Sequence, residues 1–503
     1  MDEVDAVVVG TGAGGAPLAA RLAGAGLRVV MMEAGRQWDP PREWATDERA
    51  QNDLFWNDER LSAGADPVSF GRNNSGTGVG GSTLHYTAYV PRAQPDDFRL
   101  HQEFGVGADW PFGYDELAPY YDEVEAFLGV SGPSPYPWGP PRSAYKLPPL
   151  PLNGAAQLMQ RGCAALGIRT SPAANAAVSR AWQQEGYGLR PACTNRGFCQ
   201  AGCSTGAKAG MDVTYVPLAL VRGAELRTRT FVTRIETDPS GRVTAVVSVQ
   251  DGIETRQPCR ALFLCAGAIE TPRLLLLNRL GRGPVGRHFM AHTGVQLWAR
   301  FPEMVRPTKG IPGGLISEDN HRPTDADFAG GYLLQSIGVM PVTYASQVAR
   351  GRGLWGQAML DHMAQFNHVA GINILGDCLP HWDNRVELSD ELDGRGLPKP
   401  RVHFTAGENE RRMTAHAKRT MRAIFDAAGA QDAWAFPRYA HTIGTCRMGT
   451  GDDSVVDPDG RLHGHPNLVV CDNSVFPSAL SCNPALTIMA NALRTADRFL
   501  ETR

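Results

Sequence analysis

"VDAVVVGTGAGGAPLAARLAGAGLRVVMMEAG" (4–35) decides the fold class of this 503-residue chain. An apolar run at 6–9, a glycine-rich turn, small residues at helical spacing and a second apolar run at 28–32 make one strand–helix–strand unit. Gly10, Gly12 and Gly15 fit GxGxxG. The first glycine permits the tight turn, the second lets backbone approach a pyrophosphate, and the third lets helix pack on strand. The helix N-terminus then faces the phosphates. Glu33 closes the second strand, where a carboxylate accepts the hydroxyls of an adenosine ribose.

Around this unit the chain is too long for one ordinary core, so two lobes with a cleft are expected. It is 43% hydrophobic and 20% charged, and no apolar run approaches the length of a bilayer span. A net charge of −3 with scattered basic residues gives no footprint for nucleic acid or anionic lipid, which leaves small-molecule chemistry. The opening MDEVDAVVVG enters a strand without the marks of a signal peptide, so a cytoplasmic location is expected, and a periplasmic one only with an exported partner subunit.

Further along, "NNSGTGVGGSTLHYTAYVPR" (73–92) is too glycine-rich for a regular element and suits a flat ligand. A strand pair is expected at 225–249. "ALFLCAGAIETPRLLLL" (261–277) repeats strand, turn and helix. Segment 295–435 mixes alternating strands such as "NRVELS" and "PRVHFT" with a charged helix around 407–429, and 467–500 reads as strand, loop and amphipathic helix.

The glycine fingerprint, "GVGGSTLH", "AGAIETPRLLL", His441 in "YAHTIGTCRM" and "NPALTIMANALR" together resemble the glucose-methanol-choline (GMC) family of flavin oxidoreductases. "DWPFGYDELAPYYDEVEAFLGVSG" (109–132) is similar to the branch containing gluconate dehydrogenase and bacterial FAD-dependent glucose dehydrogenase. The resemblance implies an α/β fold. A doubly wound, Rossmann-like FAD domain would be built from 1–95, 195–294 and 436–503, and an α+β substrate domain with an antiparallel sheet from 96–194 and 295–435.

It also implies the site. Oxidising an alcohol removes the hydroxyl proton and passes hydride to flavin N5, so a base that titrates near working pH is required. By resemblance His441 is that base, and Asn483 holds the alcohol oxygen; the Asn483–Pro484 pair is also an ordinary turn opener, and Pro484 is counted with the cofactor contacts. Gly80, Gly81, Ser82 and Thr83 are expected to offer backbone to the flavin ring. His85 either bonds covalently to the flavin or packs against it. Val232 corresponds to the adenine clamp, and Asp472 with Asn473 to the pyrophosphate and ribityl contacts.

"ACTNRGFCQAGC" sets Cys193, Cys199 and Cys203 at a spacing that suits an iron-sulfur centre, since soft thiolates favour such clusters. The resemblance assigns them a three-iron four-sulfur cluster that drains electrons from the flavin; unligated core cysteines are the alternative. With a cluster, the acceptor is a small subunit, a cytochrome or a quinone. Without one, oxygen is the natural oxidant. The substrate is expected to be a sugar or glycoside, with Tyr332, Trp355, Phe366 and Trp382 as candidate stacking residues. An oxidase of a non-sugar alcohol and a non-catalytic electron-transfer subunit are the competing functions. His288 and Thr293 depart from the family's usual asparagine and proline.

Overall fold

Strands Val4–Val9 and Val29–Met32 pair in parallel, and every residue of the second is buried. Strands covered on both faces read as continuous apolar runs, which is why this unit was legible as buried sheet. The computed structural model describes residues 1–44, 47–56, 60–68 and 74–503. Asn73, which opens the expected glycine-rich loop, lies outside them, and within the loop Gly81–Leu84 forms a 3₁₀ turn.

The long strand Ile253–Leu264 serves two sheets in turn. Its first half pairs antiparallel with Val243–Gln250, which pairs with Phe231–Thr237. Its second half lies between Val4–Val9 and Leu468–Val470, parallel to both. The parallel order is therefore Glu225–Arg227, Val29–Met32, Val4–Val9, Ile253–Leu264, Leu468–Val470. The expected strand pair at 225–249 is three strands, because Glu225–Arg227 leaves the hairpin to become the parallel edge. The chain departs to opposite sides from Val4–Val9 and from Ile253–Leu264, so the crevice beyond their C-terminal ends is the switch point where such sheets bind ligands.

The turn at that crevice explains its glycines. Gly10 has φ +98°, and a Cβ there would sit 2.4 Å from the Cys265 carbonyl oxygen. A Cβ on Gly15 would lie 2.0 Å from the Gly10 oxygen, and one on Gly14, which sequence reading passed over, 2.0 Å from the Cys471 oxygen. At Gly12 the nearest protein atom is 3.8 Å away. Packing therefore forbids a side chain at 10, 14 and 15, whereas the reason for glycine at 12 lies in the space in front of it.

The second sheet is antiparallel, in the order Asp432–Pro437, Val295–Arg300, Val369–Gly376, Tyr332–Ile337, Leu315–Ser317, Ser171–Pro172. One face packs on helices Gly154–Ala165 and Glu408–Ala427 through Leu297, Leu334 and Ile372 against Met159, Met413 and Ile424. Met413, Ala417, Met421 and Ile424 recur at helical spacing, which puts one apolar stripe on that sheet. The opposite face turns toward the nucleotide crevice.

Two segments cross the expected domain limits. The hairpin of Arg385–Leu392 and Pro398–His403, expected in the second lobe, adds to Leu61–Ala63 of the first segment. Segment 96–194 also divides: helix Tyr114–Leu128 packs against the C-terminal helix Ala485–Thr502, tied by Arg494 to Glu116 at 2.6 Å, while Gly154–Ala165 covers the second sheet. Among the described residues no helix is long and apolar enough to cross a membrane.

The glycine geometry yields a stability contrast. Gly15→Ala forces backbone apart and should cost about 1–3 kcal/mol, lowering the melting temperature by several degrees. Gly12→Ala should leave the melting temperature of the ligand-free protein unchanged. Equal losses in a thermal-melt comparison would show that position 12 is fixed by folding rather than by what lies before it.

Candidate active site

A large cavity runs from the crevice of the parallel sheet to the second sheet. At its nucleotide end Glu33, only 6% exposed, is held by Thr11 through N–H (3.1 Å) and Oγ1 (2.8 Å) and by Gly35 N–H (2.9 Å). Burial raises the Glu33 pKa, and these donors oppose the shift. Thr11 Oγ1 also accepts from Gly80 N–H at 3.1 Å, so the first turn carries the glycine pair at 80–81. Across the crevice Asp472 accepts from Gly267 N–H (2.8 Å), Thr271 Oγ1 (2.6 Å) and Ser474 N–H (2.8 Å), and so clamps the second strand–turn–helix. Asn473 donates from Nδ2 to the Thr442 carbonyl.

The end of the cavity that holds His441 is built by a bulge. Met290–His292 pairs with Ala440–Ile443 so that Ala291 faces Thr442 but His292 faces Ala440. His441 is the extra residue, and its φ of +55° is rare for a side chain with Cβ. A bulge re-aims the side chain it carries. Here it brings His441 Nδ1 to 3.0 Å from His292 Nδ1.

The proton positions follow from the partners. His292 Nε2 lies 2.9 Å from the carbonyl oxygens of both Ala479 and Leu480, which only accept, so that nitrogen carries the hydrogen. Full burial holds the His292 pKa down to about 4, so the ring is neutral and its Nδ1 is bare. His441 must therefore donate from Nδ1, which leaves its Nε2 unprotonated and able to accept. Removal from water, with the Arg438 charge adding, keeps the His441 pKa well below its ordinary value. Asn483 Nδ2 stands 3.5 Å from His441 Nε2, and Asn483 Oδ1 is buried with no hydrogen-bond partner. A hydroxyl that enters against this pair can take over the contact, donating to His441 Nε2 and accepting from Asn483 Nδ2.

Of the residues anticipated from the sequence, Gly10, Gly12, Glu33, Gly81, Ser82, Thr83, His85, Val232, His441, Asp472, Asn473, Asn483 and Pro484 line this one cavity. Gly15 and Gly80 lie behind its wall as packing elements. His85 is 8% exposed, its Nε2 has no partner, and burial followed by the Lys208 charge lowers its pKa to about 3.

The four candidate stacking residues do not reach the cavity. Tyr332 and Phe366 are core residues, Tyr332 bonded to His416 at 2.8 Å and Phe366 packed near Tyr344. Trp355 and Trp382 are 77% and 55% exposed. His288 also faces away, bonded to the Pro380 carbonyl at 2.9 Å. Thr293 donates its N–H to Gly376 at 3.0 Å, a bond that proline in its place would lack. His292 was missed: it stands between these two noted positions, and only the pairing of distant strands reveals it.

Cys193, Cys199 and Cys203 lie beside the cavity, which their loop reaches through Gln200. Lys208 Nζ donates to the carbonyls of Cys199 (2.6 Å), Leu84 (2.7 Å) and Tyr86 (3.3 Å), tying this loop to both chain neighbours of His85. Burial raises the thiol pKa of Cys193, and that of Cys199 to about 12. Two thiolates on one ion would lie within about 4.6 Å of each other. Among the described residues only Asp96, Asp97 and His321 bring three ligand atoms that close, so the three sulfurs do not outline a single-ion site. A multi-iron cluster, with each thiolate on a different iron, does not require that proximity.

Models of the GMC oxidoreductase N- and C-terminal regions match residues 67–294 and 380–492. The chain is similar to the fructose dehydrogenase large subunit of Gluconobacter japonicus (30% identity, covering 99% of this chain and 97% of the relative). It is also similar to 2-methyl-1,2-propanediol dehydrogenase of Mycolicibacterium austroafricanum (31%; 99% and 95%) and to paromamine 6'-oxidase of Streptomyces fradiae (30%; 98% and 90%). Among solved structures, pyridoxine 4-oxidase from Mesorbium loti superposes with a TM-score of 0.67 at 20% identity over 99% of both chains, a likeness of fold.

The neutral imidazoles have a measurable cost. Unfolded histidines bind protons below about pH 6.5, whereas folded His85 and His292 wait until about 3 and 4. Stability should therefore be full above pH 6.5 and fall on acidification, by about 2 kcal/mol per histidine at pH 5. In urea titrations at pH 7.5 and 5, His292→Gln should lose about 2 kcal/mol less than the parent. An identical loss would mean that His292 is already charged in the fold.

Proposed function

The chain belongs to the GMC oxidoreductase family, and from that premise we propose that it binds FAD along the cavity and oxidises a CH–OH group of a sugar or glycoside to the carbonyl, with His441 as base. The observation that carries this reading is the fixed tautomer of His441, whose unprotonated Nε2 lies at the cavity within reach of Asn483 Nδ2 and beside the unsatisfied amide oxygen of Asn483. Sugar or alcohol donors appear in the names of several relatives, which supports the donor class.

The nucleotide end fits FAD. Glu33 stands where a ribose would meet it, Gly12 leaves room for a pyrophosphate, and Val232 lines the same wall. FAD, when bound, supplies the hydride acceptor. The chain's own residues handle the proton. A substrate hydroxyl seated against both His441 and Asn483, in place of their mutual contact, donates to His441 Nε2, and its oxygen accepts from Asn483 Nδ2. That pair of contacts orients the carbinol carbon and makes the hydroxyl more acidic as the bond to hydrogen breaks. His292 is a positioning residue: it touches no substrate, but its bare Nδ1 obliges His441 to present Nε2. His85 packs against the ring edge in this reading, and its free Nε2 leaves attachment to the flavin open to chemistry.

Cys193, Cys199 and Cys203 are proposed to hold a three-iron four-sulfur cluster, which would pass electrons to a partner subunit, cytochrome or quinone. Support comes from the Lys208 bonds that fasten the cysteine loop to the backbone around His85. The buried thiols would bind as thiolates and release protons on loading.

His441→Ala should retain the yellow cofactor and slow flavin reduction about 10²- to 10⁴-fold in stopped flow. In the parent, the acid limb of that rate should fall below pH 6.5, because the folded imidazole stays unprotonated there. Normal reduction by the alanine variant would remove His441 from the mechanism. Cys199→Ser should abolish bound iron in anaerobically prepared protein yet spare flavin reduction; a parent free of iron would exclude the cluster.

A further inference from the structure

Resting on the alcohol-oxidation reading above, we propose that Gln296, Asn373 and Gln335 form a row of carboxamides that selects donors bearing several hydroxyl groups. They would hold the neighbours of the hydroxyl that reacts at His441.

The row follows from strand register. Gln296 and Gln335 are both Cα partners of Asn373, so the three occupy directly opposite positions on adjacent strands of the second sheet. Side chains alternate between faces, and Leu297, Leu334 and Ile372 beside them point to the helices. The three amides therefore share the other face, and all three line the cavity. Their backbones stand about 4.8 Å apart from strand to strand.

These amides are withdrawn from water: Gln296 is 0% exposed, Gln335 5% and Asn373 7%. Yet neither polar atom of the Gln296 side chain has a hydrogen-bond partner, nor does Gln335 Nε2. A buried, unpaired amide costs about 1–3 kcal/mol, which an apolar side chain of the same shape would avoid. A ligand with matching groups removes that penalty. Space for the row is made by Gly313, where a Cβ would meet Gln335 Nε2 at 2.3 Å.

The row is also connected to His292, which holds the proposed base. Gln296 follows His292 by four residues, at most about 13 Å of extended chain, and Gly294 between them lines the same cavity. A carboxamide offers donors and an acceptor, and a hydroxyl is both, so a polyol or sugar satisfies the row. A monohydric chain leaves it unpaired, the kind of mismatch that a polar site rejects strongly. The second sheet thus meets its ligand with amides rather than with the aromatic rings that the sequence suggested.

The test uses the FAD-loaded enzyme with an artificial electron acceptor and four six-carbon donors: D-sorbitol, D-fructose, D-glucose and 1-hexanol. The parent should prefer at least one polyhydroxylated donor over 1-hexanol by about 10²-fold or more in kcat/KM. Gln296→Met and Gln335→Met, each similar in shape to the parent residue, should lower that preference about tenfold to a hundredfold without slowing 1-hexanol. Flavin content and absorption spectrum should be unchanged, and the melting temperature should hold or rise. Variants that slow all donors alike, or that alter flavin absorption or retention, would show that the amides serve the cofactor and would overturn the proposal. A parent reduced as readily by 1-hexanol as by the others would overturn the row and leave alcohol oxidation standing; a parent reduced by none would overturn both.

Discussion

The hydrogen bond from His441 Nδ1 to His292 Nδ1 is the constraint around which this end of the cavity is arranged. Two imidazoles facing each other through like nitrogens bond only if one keeps its proton and the other gives it up. The Ala479 and Leu480 carbonyls decide which, by taking the only hydrogen that neutral His292 has. Leu480 itself adopts a φ of +68°, and His441 one of +55°, so backbone on both sides of the pair is bent out of its ordinary range. Such local strain persists where surrounding structure over-determines it, and here it aims a bare nitrogen into the cavity.

How much of this was readable in advance depended on distance along the chain. The strand–turn–helix at 4–35 was legible because its apolar runs and glycine spacing lie in one local stretch, although the atoms that crowd Gly10 and Gly14 belong to Cys265 and Cys471. His441 and Asn483, proposed above as base and amide companion, were singled out through resemblance, and they meet in one cavity. His292 was not, because its role depends on a register shift against a strand some 150 positions away in the chain. The row Gln296, Asn373 and Gln335 was hidden for the same reason: single polar residues inside apolar strands look like defects until the strands are laid side by side. Tyr332 and Phe366 misled because aromatic residues in a half-apolar segment satisfy a core as readily as a sugar.

The second sheet divides its labour by face. Period-two alternation sends Leu297, Leu334 and Ile372 to the helices and the amides to the cavity. One set of strands thus supplies both the hydrophobic anchor of its domain and the polar floor of the site. Rigid placement follows, since the floor cannot shift without unpacking Met413, Ala417 and Met421 beneath it.

Strand Leu468–Val470 completes the parallel sheet that begins at Val4, and Leu61–Ala63 extends the hairpin that ends at His403. Interleaving of this kind has a consequence for biosynthesis. A chain emerging from the ribosome carries its first strands long before the partners that enclose them, so the nucleotide domain cannot close as an early, separate unit. Nearly the whole polypeptide must be released before either half is finished. Truncated products would expose unpaired strand edges and depend on chaperones, and the molecule is poorly suited to division into two independently expressed pieces.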